Sequence, residues 1–247
     1  MGMTYEICCG SYEDALQASR GGAERIELNT ALHLGGLTPT IASVKLTREN
    51  TSLKIISMVR PRAGGFHYTQ AEKEQMFAEA ELLLEYGSHG LAFGFLHADA
   101  TVDVESTKKM TALIHAKGGE AVFHRAFDCV KDPYEAIEQL IAAGVDRILT
   151  SGLAPKAVEG KEMLRSLQEK YGNQIELLAG CGVNASNVRE IIADTGLTQA
   201  HSSCKDWRED PTTCGGKVSY SFAQPPHASC YDIVSEERVR ELVQISI

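Results

Sequence analysis

The sequence predicts a closed (β/α)8 barrel, the TIM-barrel fold, in a single domain over residues 1–247. Three observations support this: the chain length, the regular recurrence of short apolar runs, and the helical periodicity between them. The 247 residues match the usual size of one such barrel, about 250 residues. Hydrophobic residues make up 43% of the chain, so a large core can form.

Eight apolar runs are predicted strands, and their alternation with helical segments is typical of a parallel sheet. The predicted strands are Tyr5–Cys8, Arg25–Leu28, Lys54–Val59, Leu91–Leu96, Ala121–His124, Arg147–Thr150, Glu176–Ala179 and Thr198–His201. The main alternative is an open doubly wound sheet. A closed barrel is favoured over it because the first strand ends in CCGS, which is not the GxGxxG nucleotide fingerprint.

Amphipathic segments with helical spacing separate these strands. The clearest predicted helices are Ala71–Tyr86, Val104–Ala116, Pro133–Ala143 and Lys156–Tyr171. Asp132 before Pro133 predicts a helix start, because aspartate caps helices and proline suits the first helical position. Asn184 is predicted to cap another helix that begins near Ala185.

The segment from Lys205 to Asp232 has no clear periodicity and is predicted to be a long irregular loop after the eighth strand. Loops this long in a compact domain are usually functional or partly disordered. Three interpretations remain: a lid over the barrel mouth, an arm that contacts another subunit, or a merely variable loop.

Composition and charge exclude several function classes. The net charge of −9 and the absence of a basic stripe argue against nucleic acid as a partner. No apolar run is long enough to span a membrane, and MGMTYEICCG lacks the pattern of a secretion signal. The odd count of seven cysteines is typical of reduced thiols, so we expect a cytoplasmic protein.

Polar side chains cluster where the predicted strands end, which is where barrel enzymes carry their working residues. The candidates are Glu6, Glu27, Arg60, His124, Arg125 and Asp128. Because side chains alternate along a strand, Glu6 should share a face with Cys8, and Glu27 with Asn29. We therefore expect both carboxylates near each other inside the barrel mouth.

This cluster has two interpretations. In an enzyme, Glu6 or Glu27 would be the general base and His124 the acid or electrophile. Arg60 and Arg125 would then hold a small anionic ligand. In the alternative, the cluster is a structural ion-pair network that fills the barrel, with these cationic side chains as counter-ions.

A glycine-rich turn, AGCGV at 179–183, follows the seventh predicted strand and precedes a helix. Gly180 and Gly182 would let the backbone approach an anion, and Ser202 and Ser203 would add hydroxyl groups from the eighth strand. This is a common phosphate-binding place in barrels. The alternative is that the glycines serve only a tight turn.

Metal-binding spacing is absent, since the sequence contains no CxxC, CxC or HxxxH. Cys8 and Cys9 should point to opposite faces of a strand, which leaves Cys8 as the candidate ligand in the mouth. Cys181 or Cys204, which follow other strand ends, could supply a second thiolate for Cu(I).

Eight short motifs carry a family resemblance. They are EIC at 6–8, RIEL at 25–28, GGLTP at 35–39, RPR at 60–62, HRAFD at 124–128, LTSG at 149–152, AGCGV at 179–183 and HSS at 201–203. They resemble the copper homeostasis protein CutC family. The resemblance implies a cytosolic homo-oligomeric barrel with a role in copper tolerance and Cu(I) as its ion; no other cofactor is expected.

The chain departs from that family pattern at two places. Relatives that bind copper have a cysteine at the end of each of the first two strands, whereas this chain has Cys8 and then Asn29. An asparagine oxygen is a poor ligand for Cu(I). Ala63 stands in the loop AGGF at 63–66, where relatives tend to have GGDF, so one carboxylate is lost from the mouth.

The sequence is therefore compatible with three functions. The first is copper homeostasis through Cu(I) binding, and the second is an enzyme or binding protein for a small anionic metabolite, phosphorylated or not, at the mouth. The third is a scaffold that uses the segment 205–232 as its partner surface.

Overall fold

Eight parallel strands close into a barrel in sequence order in the computed structural model, which describes residues 3–245. The ring closes where β1 pairs with β8, with Thr4 opposite Gln199. The strands are β1 (Thr4–Cys9), β2 (Arg25–Leu28), β3 (Lys54–Met58), β4 (Gly90–Phe93), β5 (Glu120–Phe123), β6 (Arg147–Thr150), β7 (Glu176–Ala179) and β8 (Gln199–Ser202). The predicted (β/α)8 fold class is confirmed.

Helices follow the strands and pack on the outward strand side chains in one continuous apolar core, to which Ile7, Ile26, Ala15 and Met76 belong. The helices are α1 (Tyr12–Arg20), α2 (Ile41–Asn50), α3 (Gln70–Glu85), α4 (Val104–Ala116), α5 (Pro133–Ala142), α6 (Lys161–Tyr171), α7 (Val188–Thr195) and α8 (Glu236–Val243). Within residues 3–245, no helix combines the length and apolar character needed to cross a membrane.

The start of α5 is as predicted, whereas α6 and α7 begin later than predicted. The Asp132 side chain accepts hydrogen bonds from the backbone at the start of α5. α6 begins at Lys161, because residues 156–160 form a turn. α7 begins at Val188, because Asn184 starts a turn in which its side chain accepts from the amide of Ser186. Both corrections lie in the loops that leave the strand ends.

The barrel interior is layered along its axis. Charged side chains such as Arg25, Arg147 and Glu176 stand where their strands begin. A small apolar cluster, formed by Ile56, Met58, Ala92 and Val122, fills one side of the barrel above them. The other side, bounded by β8, β1 and β2, carries polar side chains up to the mouth. Because the barrel is filled unevenly, polar side chains reach the mouth on the side of β8, β1 and β2.

The segment after β8 is not entirely irregular, which corrects the prediction for residues 205–232. β9 (Lys205–Glu209) and β10 (Cys230–Val234) pair as an antiparallel hairpin, with Asp232 opposite Trp207. The residues between them fold back on the hairpin, where the ring of Trp207 stacks on His227 with centroids 4.6 Å apart. The hairpin thus anchors the intervening residues beside the barrel.

Candidate functional site

A cavity of about 710 Å³ opens where the strands end, and most of the predicted site residues line it. The lining includes Cys8, Glu27, Arg60, His124, Arg125, Asp128, Gly182 and Ser203. The strands thus bring together residues that are far apart in the sequence, as predicted. Glu6, Gly180 and Ser202 are not among the lining residues.

Glu6 lies one layer below the mouth, in an ion-pair cluster, and is 1% exposed. Its carboxylate lies 2.7 Å from Arg25 Nε, 3.7 Å from Arg147 Nη1 and 2.9 Å from His201 Nδ1. Burial opposes ionisation, but the His201 hydrogen bond and the Arg25 charge lower the pKa of Glu6 to about 2. For Glu6, the structural interpretation therefore describes the contacts better than a role as general base.

The counter-ions of Glu6 differ from those predicted from the sequence. Arg60, His124 and Arg125 make no ion pair with Glu6 among the described residues; Arg25, Arg147 and His201 do. The physical reason is depth: alternation assigns a side chain to the inner face, but the layer that it occupies depends on how the strands are staggered around the ring.

Above Glu6, three side chains on neighbouring strands form a potential metal site. One ligand atom each from Cys8 on β1, Glu27 on β2 and His201 on β8 lie within 4.8 Å of one another. Glu27 is 3% exposed and His201 is 8% exposed, whereas Cys8 is half-buried at the cavity. Thiolate and imidazole suit Cu(I), and a carboxylate adds a harder ligand, so the donor set fits a thiophilic ion.

Glu6, in the layer below the mouth, orients the imidazole of His201 through a hydrogen bond. The imidazole Nδ1 lies 2.9 Å from the Glu6 carboxylate, which leaves Nε2 as the ring nitrogen available to a ligand. Metal-binding histidines usually donate their second ring N–H to a carboxylate or carbonyl in this way. Although burial opposes it, the carboxylate of Glu27 and the neighbouring Cys8 and Glu6 raise the pKa of His201 well above its usual range.

His201 belongs to this trio but is not among the sequence-based candidates. The signal was present, because Gln199, His201 and Ser203 alternate on the inner face of the eighth strand. The candidates from this strand are instead Ser202 and Ser203, as anion ligands. His201 gains its neighbours, Cys8 on β1 and Glu27 on β2, only because the last strand of the ring pairs with the first.

The other predicted thiol ligands stand apart from this trio. Cys181 lines the cavity, but its Sγ lies 3.1 Å from the carbonyl oxygen of Pro155 and is not part of the trio. Cys204 is buried against Ser202, outside the cavity lining. The partners of Cys8 are thus a histidine and a glutamate in place of a second cysteine.

Asp128 is fully engaged in holding a turn of the mouth. Its carboxylate accepts hydrogen bonds from Arg125 Nε, Thr150 Oγ1, Ser151 and the amide of Leu153. These donors occupy the lone pairs of the carboxylate, which leaves it little capacity to bind a ligand. Asp128 therefore positions Arg125 and the loop after β6.

Arg60 and His124 stand beside each other on the β3–β5 side of the cavity. Arg60 is 6% exposed and donates to the carbonyl oxygens of Leu34, Gly36 and Gly64. Burial and the Arg60 charge together lower the pKa of His124 to about 3, so its imidazole is neutral at physiological pH. A neutral imidazole can donate to a ligand but does not act as a strong acid.

Three of the four predicted anion ligands, Gly182, Ser202 and Ser203, line a second cavity beside the glycine turn after β7, whereas Gly180 does not. The hydroxyl of Ser202 is buried and donates to the carbonyl oxygen of Val183. Gly182 and Ser203 also line the first cavity. Side chains of both charges, Lys205 and Arg238 with Glu237 and Glu241, line the second cavity, and phosphate binding at this turn stays a prediction.

Residues of the segment after β8 reach the mouth. Lys205 and Asp232 line the cavity and form an ion pair of 3.5 Å. The ring of Phe222 lies 4.8 Å from that of His33, which also lines the cavity. The segment thus covers part of the rim in this conformation.

Comparisons with known proteins identify the family of this chain. The profile of the CutC family matches residues 3–206. A family protein CutC of Treponema denticola is 40% identical over 241 residues, which are 97% of each chain. The copper homeostasis protein cutC homolog of Homo sapiens is 36% identical over 84% of this chain and 76% of its own.

Solved structures extend the comparison. A crystal structure of a CutC protein from Streptococcus agalactiae superposes with a TM-score of 0.76 at 30% identity, over 81% of this chain and 98% of the other. A 2-keto-3-deoxy-6-phosphogluconate aldolase of Zymomonas mobilis shares only the fold, with a TM-score of 0.55 and 11% identity over 99% and 93% of the chains. The chain belongs to the CutC family.

Proposed function

We propose that this protein binds one Cu(I) ion at Cys8, His201 and Glu27, and thereby takes part in copper homeostasis. The single observation that carries the proposal is the convergence of three ligand atoms within 4.8 Å at the base of the mouth cavity. A human relative is named a copper homeostasis protein, and this supports the choice of ion.

The charges of the trio set the conditions for binding. Burial raises the pKa of the Cys8 thiol, and the carboxylates hold a proton on His201. An entering cation must therefore displace protons from both ligands, so its affinity should rise with pH. Glu6, held by two guanidinium groups, would keep its hydrogen bond to His201 and orient the imidazole.

The free thiols support a cytoplasmic location. All seven cysteines are free in the structure, including the half-buried Cys8. Cu(I) and free thiols both require reducing surroundings, so we place the protein in the cytoplasm. The ion would be cargo, which the protein takes up and releases through the open cavity.

A competition titration with a chromogenic Cu(I) chelator tests the proposal. Cys8→Ala should weaken Cu(I) binding roughly hundredfold, because it removes the soft ligand. The matched control is Cys9→Ala, since Cys9 is the next residue, is fully buried and belongs to the outer core. Equal Cu(I) affinity in the two variants would refute the site.

A variant with an added thiolate provides a second test by the same titration. Asn29 Nδ2 lies 3.6 Å from Cys8 Sγ and 3.0 Å from Glu27 Oε1, so position 29 borders the trio. Asn29→Cys should therefore add a second thiolate and tighten Cu(I) binding about tenfold or more. Asn29→Ser, which offers only oxygen, is the control, and a similar gain in it would contradict the softness argument.

A further inference from the structure

We propose that the β3–β5 side of the mouth cavity is a second binding site, for a small organic carboxylate with an apolar body. We call the site the anion pocket and define it by Arg60, Phe66 and His124. The inference goes beyond metal binding, because it uses none of the three residues assigned to the ion.

Arg60 supplies a buried positive charge that no carboxylate neutralises. Within residues 3–245, the guanidinium makes no ion pair with an acidic side chain; its Nη atoms donate to three backbone carbonyls at 2.7–3.0 Å. Its Nε is buried and has no hydrogen-bond partner. A buried charge is costly unless it is paired, so a cation left in this state favours an anionic ligand.

His124 supplies a second N–H group of fixed position. Its Nδ1 accepts a hydrogen bond of 3.1 Å from the amide of Ala126, so the proton of the neutral ring is on Nε2. His124 is 3% exposed, and its Nε2 has no partner among the described residues. Because the pKa of His124 is lowered to about 3, this donor persists throughout the physiological range.

The two donors share one wall of the cavity. The guanidinium carbon of Arg60 lies 5.3 Å from the centroid of the Phe66 ring, and the His124 ring lies 4.9 Å from it. Both residues line the cavity. A carboxylate bound at this wall would lie against the Arg60 guanidinium and the His124 imidazole, a combination of a charge and a neutral N–H donor that suits it.

The remaining lining determines the rest of the ligand. Leu32, Met58, Phe66, Leu149 and Leu153 supply apolar surface, and a volume of about 710 Å³ is that of a small-molecule site. An inorganic ion would leave this surface wet. The structure therefore favours a carboxylate that carries several carbon atoms.

Other charges at the mouth do not compete for the ligand. Arg125 is paired with Asp128 at 2.7 Å, and Lys205 is paired with Asp232 at 3.5 Å. Among residues 3–245, no acidic side chain pairs with Arg60. Its charge is therefore the one left unbalanced among the arginine and lysine residues of the lining.

Calorimetric titration of the full-length, metal-free chain with butyrate and hexanoate tests the proposal. Affinity should rise about fourfold for each added methylene that is buried. Hexan-1-ol, which lacks the charge, and inorganic phosphate, which lacks the apolar body, should bind at least about tenfold more weakly than hexanoate. Phosphate binding as tight as that of hexanoate would overturn the proposed ligand class.

A neighbouring arginine provides the matched control. Arg60→Gln should weaken hexanoate binding about tenfold or more, because it removes the charge in the pocket. Arg62→Gln should change it less than about twofold, since Arg62 pairs with Glu72 and does not line the cavity. Cys8→Ala should retain hexanoate binding, which separates this proposal from that of the metal site.

A spectroscopic measurement on the unaltered chain covers the case in which Arg60→Gln does not fold. Hexanoate should shift the NMR signals of the His124 Nε2–H and Arg60 Nε–H groups, and hexan-1-ol should leave them in place. Signals that hexanoate does not shift at saturating concentration, or a folded Arg60→Gln with unchanged affinity, would overturn the anion pocket.

Discussion

Two buried histidines reach the same cavity in different protonation states, one cationic and one neutral. His201 on β8 is 8% exposed and has a pKa far above its usual range, whereas His124 after β5 is 3% exposed and has a pKa near 3. Burial opposes the charged form in both. The neighbours differ: His201 faces the carboxylates of Glu6 and Glu27, and His124 faces the guanidinium of Arg60.

The comparison shows that one mouth can offer two kinds of chemistry. The β8–β1–β2 side collects anionic and soft donors and suits a cation. The β3–β5 side holds an unbalanced cation and a neutral donor and suits an anion. Burial alone would have assigned a neutral imidazole to both sides, so the charge of each histidine follows from its partners.

The largest predicted effect is a loss of stability on the His201 side of the mouth. Glu6→Gln should lower the free energy of unfolding by about 3–5 kcal/mol, because it leaves Arg25, Arg147 and His201 buried without their carboxylate. Urea denaturation at pH 7 measures this loss.

Glu176→Gln is the matched control for that experiment. Glu176 also contacts Arg147, at 3.0 Å, but its side chain is 56% exposed. An exposed ion pair contributes about 0–1 kcal/mol. If Glu6→Gln cost no more than Glu176→Gln, Glu6 would not be the residue that holds the buried cluster together.

The next prediction concerns the His124 side, where the stability of the protein should depend on pH. A histidine whose pKa is lowered on folding stabilises the protein above the unfolded value of 6.5, and this stability is lost as the pH falls towards 3. Between pH 7.5 and 5.5, His124 should account for a loss of about 1.4 kcal/mol. His201 acts in the opposite sense, since its contribution is lost as the pH rises through its raised pKa.

The contribution of His124 is isolated by a variant. His124→Gln keeps a donor near Nε2 but cannot titrate, so the difference in unfolding free energy between wild type and variant should shrink by about 1.4 kcal/mol from pH 7.5 to 5.5. Urea denaturation at both pH values measures it. A difference that does not change with pH would mean that His124 is not held neutral.

Much of the fold and of the mouth could be predicted from the sequence, because both depend on local patterns. Short apolar runs locate all eight strands, and their polar ends locate Glu27, Arg60 and His124 at the cavity. The starts of α6 and α7 could not be placed, since glycine- and asparagine-rich turns precede them. β9 and β10 are half-exposed strands whose apolar pattern is too weak to detect.

The roles of individual residues depend on ring closure, which no local pattern contains. Glu6 ends up beneath the mouth because the stagger of β1 sets it against Arg25 and Arg147. His201 gains its importance from Cys8 and Glu27 across the seam between β8 and the first two strands. Contacts of this range follow from three-dimensional closure only.

The most direct test of the two protonation states is the nitrogen-15 NMR spectrum of the histidine rings at pH 7.5 in the metal-free chain, with His124 assigned from the His124→Gln variant. The structure predicts that both ring nitrogens of His201 are protonated and that only Nε2 of His124 is. A neutral His201, or a His124 that titrates near pH 6.5, would contradict the division of the mouth into a cation side and an anion side.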